Sequence, residues 1–385
     1  MSKLSIPLLC ALFIVGLFAC QSEKNDSSTE TKTWELVPSG EKIEIELDSL
    51  TANVALAMVY YDGGDSPLLF NVNSDKNALQ IYDVDAGKLQ KELVFEAEGP
   101  NGVRVGFFHV HNLDSIFIFP EWSQKLILVD SEGQIKNRID YELPENVSAL
   151  FLHNTYYVSP PKVVDGQLIA KARGTKPPMD YSQSELDDLP VLVSIDLTSK
   201  EVTSLPYHFP TDYFSQGIKM MEVSIVQELH RTVFSFAGDH ALYFSDSGNL
   251  TKKDGPSAFL DATLPVLPQD VDGRIFAEYA LTKSRYSDLI KDPYRNVLYR
   301  FAFPTEPVQS EEELRALREN PRSFILMVFD ENLELLTEKK FDAGTYYPSN
   351  SFVGEKGLYL STSNSQNPEI KEDWMAFELI ELVGK

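Results

Sequence analysis

Leu79-Gln80-Ile81-Tyr82-Asp83-Val84-Asp85-Ala86-Gly87-Lys88, running on into Leu89 to Phe95, is the stretch on which the fold turns. It reads as an apolar strand, a turn opened by an aspartate, and a second strand. The aspartate takes hydrogen bonds from the local backbone, and a Gly or Asn further on accepts a positive φ. The same form returns in Leu126 to Gln134 leading into Ile135 to Tyr141, and in Leu192 to Lys200 leading into Glu201 to Tyr207. Ala241 to Leu250 and Phe324 to Leu333 repeat it. A hairpin that recurs at roughly fifty-residue intervals matches propeller blades, whose repeat is ~40–50 residues.

Further strands fall between the hairpins: Ser115 to Phe119, Thr155 to Val158, Asn296 to Phe301 and Gly357 to Ser361. The reading is therefore all-β, a six-bladed β-propeller, with blades at about 52–95, 103–141, 146–208, 222–254, 271–341 and 346–383. The sixth blade is one strand short after Met375 to Val383. Ile43-Glu44-Ile45-Glu46-Leu47 alternates with period two and is predicted to complete it, closing the ring and covering an edge that would otherwise seed aggregation. A short helix is predicted near 310–320, inserted in the fifth blade. Ser310 and Glu313 form a capping box, Glu311 and Glu312 suit the positive end of the dipole, and Pro321 follows the end. A second helix is predicted over Ser284 to Lys291.

The amino terminus places the protein. Lys3 gives a basic start, and Ile6 to Ala19 form an apolar run too short for a bilayer, which takes ~20 apolar residues. Residues 1–19 read as a cleaved signal peptide. Leu17-Phe18-Ala19-Cys20 resembles the lipobox of bacterial lipoproteins, in which the cysteine is acylated and becomes the first mature residue. Residues 20–33 follow as lipidated cysteine and tether, with no apolar side chain from Gln21 to Thr33 to drive ordering. The propeller domain occupies 34–385.

Composition excludes several classes. The chain has 34 Lys and Arg against 58 Asp and Glu, a formal charge of −24, so its surface repels nucleic acid and anionic headgroups. The expected membrane partner is reached through lipid on Cys20. The two cysteines are Cys10 and Cys20, so the mature body holds no disulfide, thiolate nucleophile or zinc ribbon. Stability falls to the apolar core, which 23 Phe and 17 Tyr supply.

Glu98-Gly99-Pro100-Asn101-Gly102-Val103 and Asp292-Pro293-Tyr294-Arg295-Asn296-Val297-Leu298-Tyr299-Arg300 resemble motifs of a Bacteroidota lipoprotein family, the domain of unknown function 4221, related to six-bladed propellers. The resemblance covers nearly the whole mature chain. It implies a propeller fold and an outer-membrane lipoprotein, and no reaction. Glu23 and Asp26, just after the lipidated cysteine, are similar to a signal for display at the cell surface.

Propellers bind ligands where the innermost strands converge at the channel mouth. Arg104, Arg173, Arg231 and Arg300 fall once each in four blades. Facing inward they form a funnel for a carboxylate, sulfate or uronic sugar; scattered on the surface they are salt-bridge partners of little worth. Arg300 stands beside Tyr299 in the family-like motif, where its structural alternative is to brace a blade. His109 and His111, two apart on an expected innermost strand, face one way as pocket groups or as metal ligands lacking a third partner, or are simply satisfied by backbone or water. No metal or catalytic residue is assigned. Asp83-Val84-Asp85-Ala86-Gly87 lacks the later glutamate of a calcium loop, and Glu98 to Gly102 lacks the Walker lysine.

The expected function is a lipid-anchored envelope binding or interaction module without cofactor, its partner an anionic small molecule, glycan or envelope protein. The alternative is a metal-dependent hydrolase or lactonase, or a polysaccharide lyase, with Ca2+ or a similar ion held by three or four Asp, Glu, Asn or His side chains at the channel mouth. A purely structural subunit would instead expose an apolar patch on one face.

Overall fold

The computed structural model describes residues 33–385 apart from 100–101, 121–122, 151–158, 247–248, 270 and 320–322. The expected signal peptide, Cys20, the tether to residue 32 and the strand at 155–158 lie outside the described residues.

The long strand β1 (Trp34–Glu46) is followed by six antiparallel sheets that form a six-bladed β-propeller. The first blade is β2 (Met58–Tyr61), β3 (Leu68–Asn73), β4 (Ala78–Asp83) and β5 (Lys88–Val94). The second is β6 (Val105–Asn112), β7 (Ser115–Pro120), β8 (Lys125–Val129) and β9 (Ile135–Asp140). In the third, β10 (Val147–Leu150) and β11 (Lys162–Val164) both pair with β12 (Gln167–Gly174). A short helix α1 (Gln183–Asp187) then leads to β13 (Leu192–Asp196) and β14 (Val202–Ser204). The fourth is β15 (Val223–Gln227), β16 (Thr232–Phe236), β17 (Leu242–Ser245) and β18 (Thr251–Lys253).

Helix α2 (Gly273–Thr282) precedes the fifth blade, β19 (Arg285–Asp292), β20 (Val297–Phe303), β21 (Phe324–Phe329) and β22 (Leu335–Phe341), which carries α3 (Glu311–Glu319) between its middle strands. The sixth is β23 (Tyr347–Gly354), β24 (Gly357–Ser361) and β25 (Trp374–Gly384). Strand β1 supplies its fourth strand, pairing with β25 from Trp34 opposite Gly384 to Glu46 opposite Trp374. The ring is closed by the amino-terminal strand, as its alternation predicts, and that strand begins nine residues earlier than Ile43.

The aspartate-led turns are local devices. Asp83 accepts from the Ala86 amide at 2.8 Å, and Asp130 from the Glu132 and Gln134 amides at 3.0 and 2.9 Å. Asp196 accepts from Thr198 and Ser199, and Asp330 from Asn332 and Glu334, all at 2.7–2.9 Å. Gly87 and Gly133 take the positive φ in the first two blades, whereas Lys200 and Leu333 take it in the third and fifth.

Blades stack face to face, so their middle strands are buried on both sides and read as continuous apolar runs. All six residues of β21 are buried. Each seam has its own apolar cluster, from Phe70 with Phe108 between the first two blades to Ile45 with Phe377 and Tyr82 at the closure. Between the fourth and fifth blades, Val233 packs with Leu298 and Met327.

Helix α3 forms where predicted, with the Ser310 hydroxyl accepting from the Glu313 amide at 3.2 Å. The helix expected over Ser284 to Lys291 is instead strand β19. A bulge between Tyr286 and Leu289 breaks the alternation, so the spacing of Tyr286, Leu289 and Ile290 imitates a helix. The true helix lies just upstream, where Asp272 caps α2 by accepting from the Arg274 and Ile275 amides. Phe276, Tyr279 and Ala280 share the face that packs on Met220 and Ala237.

Candidate binding cleft

Two hollows of about 260 and 210 Å³ open where the third, fourth and fifth blades meet, and Pro178, Met221 and Glu222 line both. The end of β12, the approach to β15 and the start of β19 build them, so one end of the propeller supplies every wall.

Lys171 sits on β12 between apolar neighbours, opposite Leu192 of β13, and is 3% exposed. Its ammonium donates to Glu222 Oε2 at 3.2 Å. Burial pushes its pKa down, while the charges of Glu222 and Asp288 pull it back up. Asp288, also 3% exposed, lies in the β19 bulge, where the ladder skips both it and Ser287. Burial holds its carboxyl well above the usual carboxylate range, against the Ser287 hydroxyl, which donates to it at 3.2 Å, and the charge of Lys171. A buried cation and a buried carboxyl are thus each driven toward neutrality in one cleft.

Arg173 and Lys176 stand exposed at the rim of the first hollow, and Lys176 also pairs with Glu185. Arg285 enters the second, its guanidinium 4.5 Å from the centre of the Phe303 ring. The cleft therefore carries four basic side chains, Lys171, Arg173, Lys176 and Arg285, against the two acids Glu222 and Asp288. In the whole chain acids outnumber bases 58 to 34, so this inversion is local.

Of the residues singled out from sequence, the structure brings Arg173 alone to this cleft. Arg300 is fully buried in the seam between the fourth and fifth blades. Its Nε donates to Ser235 Oγ at 2.8 Å, and its terminal nitrogens donate to the carbonyls of Asp239, His240, Gly255 and Ala241 at 2.7–3.3 Å. The guanidinium also stacks on Tyr286, 3.4 Å from the ring centre. Burial lowers its pKa to about 10, so it stays charged. Arg300 braces two blades, the structural alternative for it, and does not face a funnel. Tyr299 is likewise buried, donating to Asp292 at 3.2 Å.

Arg231 lies at the far end of β15, where it grips Glu228 at 2.7 Å and the Glu331 carbonyl at 2.6 Å. Arg104 is exposed on the approach to β6. His109 is half-buried on β6, and burial together with His111 lowers its pKa to about 4. His111 is exposed where the β6 ladder shifts register, so the simple alternation that aligned the two histidines is interrupted. Among the described residues, no three His, Cys, Asp or Glu side chains gather as metal ligands. No helix among them is long and apolar enough to cross a membrane.

Sequence reasoning missed Lys171, Glu222 and Asp288. The available signal was a lysine inside the apolar run Leu168-Ile169-Ala170-Lys171-Ala172, since a lone cation in a buried strand needs a partner.

No curated protein sequence matches the chain. The crystal structure of a DUF4221 family member from Bacteroides vulgatus is similar at TM-score 0.83 with 23% identity, over 92% of this chain and 100% of that one. A putative exported protein from Bacteroides fragilis is similar at TM-score 0.53 with 12% identity, over 90% of this chain and 95% of that one. Both likenesses concern the fold. The family model for the domain of unknown function DUF4221 matches residues 33–340, and the chain belongs to that family.

Proposed function

We propose that this protein is an envelope lipoprotein, tethered through Cys20 at the outer membrane, whose propeller binds a small anionic ligand in the cleft between the third, fourth and fifth blades. The observation that carries this reading is the local inversion of charge: four basic side chains against two acids, in a chain of net charge −24. A concave site with a few convergent charges and shifted pKa values is the default binding-site hypothesis in a fold of this kind. Arg173 and Lys176 at the rim meet the ligand first, and Lys171 sits beneath them.

The test is thermal unfolding of the purified chain in a panel of carboxylates, sulfate and uronic sugars at constant ionic strength. A ligand at ~100 times its Kd stabilises by ~2.7 kcal/mol, so at least one anion should raise Tm, and Arg173→Ala should reduce the rise. A panel that leaves Tm unchanged removes the reading. Anchoring is tested separately: Cys20→Ala should move the protein from the membrane fraction to the soluble one.

One observation favours a catalytic alternative. Burial drives Lys171 and Asp288 in opposite directions within the same cleft, the arrangement that sets up an acid and a base. This supports the lyase form of that alternative, in which proton transfer needs no metal cluster. Release of an unsaturated uronate from polygalacturonate by the wild-type chain, lost in Lys171→Met, would establish it.

A further inference from the structure

We infer that the occupant of the cleft is an amphipathic monoanion, a carboxylate carried on an apolar chain or ring, with its head on Arg173 and Lys176 and its body along α2. The inference rests on the anion-binding reading above and narrows it.

The two hollows differ in kind. Three cationic side chains gather in the first, against Arg285 in the second, where Met220, Met221, Ala237, Phe276 and Ala280 supply much of the wall. Polar groups are present in the second hollow but already engaged. Ser224 Oγ accepts from the Leu289 amide at 2.8 Å, and Ser235 Oγ accepts from Arg300 at 2.8 Å. The Tyr286 hydroxyl accepts from the Ser257 amide at 3.1 Å and bonds His240 Nδ1 at 2.7 Å. A sugar brings a hydroxyl on nearly every carbon, and each one desolvated without a partner opposes binding. A hydrocarbon needs no partner and gains from leaving water.

Charge sets the number of heads. Glu222 lines both hollows at their join and is matched there by Lys171 at 3.2 Å. A second negative group further along the ligand would lie beside Glu222, and Arg285, the cation of the second hollow, is already stacked on Phe303 and donating to the Lys283 carbonyl, so one anionic end is accommodated and a second is opposed.

The experiment titrates acetate, hexanoate, octanoate and decanoate, and separately digalacturonate, into the Cys20→Ala chain purified without detergent, with calorimetric detection below the micellar range. Affinity should rise about fourfold per methylene, the equivalent of ~0.8 kcal/mol for each buried CH2. Arg173→Ala should weaken the whole series by a common factor, and Phe276→Ser should flatten its slope toward onefold per methylene. Should Phe276→Ser fail to fold, Ala280→Glu places a charge on the same wall and should flatten the slope equally. Alkanoates bound with no dependence on length, or digalacturonate bound more tightly than decanoate, would overturn the amphipathic ligand while leaving the anion site standing. Binding of none of them overturns both.

Discussion

The seam between the fourth and fifth blades and the cleft beside it both bury a cation, and they treat it in opposite ways. Around Arg300 the partners are one hydroxyl, four backbone carbonyls and the Tyr286 ring, a closed shell in which all five N–H donors are taken. Around Lys171 one acceptor is Glu222, whose side chain is 55% exposed and borders a hollow of about 260 Å³. A closed shell holds a charge for the sake of the fold. An open one holds it where a ligand can reach. Position in a family-like motif pointed to Arg300; the surroundings separate the brace from the site.

Breaking the closed shell should give the largest effect. Arg300→Ala leaves four carbonyls and Ser235 without their donor and removes the platform that stacks on Tyr286. Such a loss costs roughly 3–5 kcal/mol, read as a lower denaturant midpoint. Arg300→Lys should recover only part of it, because an ammonium cannot reproduce the planar fork. Near-wild-type stability in Arg300→Ala, with loss of anion binding, would return Arg300 to the site.

The second test lies in the open region and has the opposite sign. Asp288 is protonated in the folded state up to a pH well above the 3.8 of an ordinary aspartate. Between that value and its folded pKa the native chain binds more protons than the unfolded one, so stability falls as pH rises through the window. Asp288→Asn removes the penalty. The variant should match the wild type near pH 3.8 and exceed it increasingly toward neutral pH, as followed by urea unfolding across a pH series. A variant less stable than wild type at pH 7 would mean that Asp288 is held ionised by its neighbours.

These two regions also show why the fold was more legible than the site. The hairpins of the second and fifth blades are announced within ten residues, because Asp130 and Asp330 bond amides two and four positions on, and the missing sixth-blade strand is visible as a deficit that Ile43 to Leu47 fills. The cleft joins residues 171, 222 and 288 from three blades, and no local spacing encodes that meeting. Where local pattern misled, a bulge was responsible: it removed the period of two from β19 at the point where Asp288 is placed. The same irregularity that hid the strand positions the buried carboxyl.

A local device should show a smaller, confined effect. Asp330→Ala deletes two turn bonds at 2.9 and 2.8 Å in the fifth blade, and should cost about 1–2 kcal/mol in urea unfolding. Anion-induced stabilisation should survive it, since β21 and β22 do not line the cleft. A loss as large as that of Arg300→Ala would mean that blade turns, and not the seams, set the stability of the ring.

The smallest expected change in stability belongs to Arg173→Ala, and its smallness is what makes it informative. The side chain stands exposed at the rim, where removing a charge normally shifts stability by less than about 0.5 kcal/mol. Unfolding without ligand should therefore be nearly unchanged. A tenfold loss in affinity would subtract ~1.4 kcal/mol from the stabilisation that a saturating anion confers, a difference readable in the same instrument. If Arg173→Ala instead unfolds the chain as Arg300→Ala is expected to, the rim of the cleft is another brace and the contrast between the closed and open shells disappears.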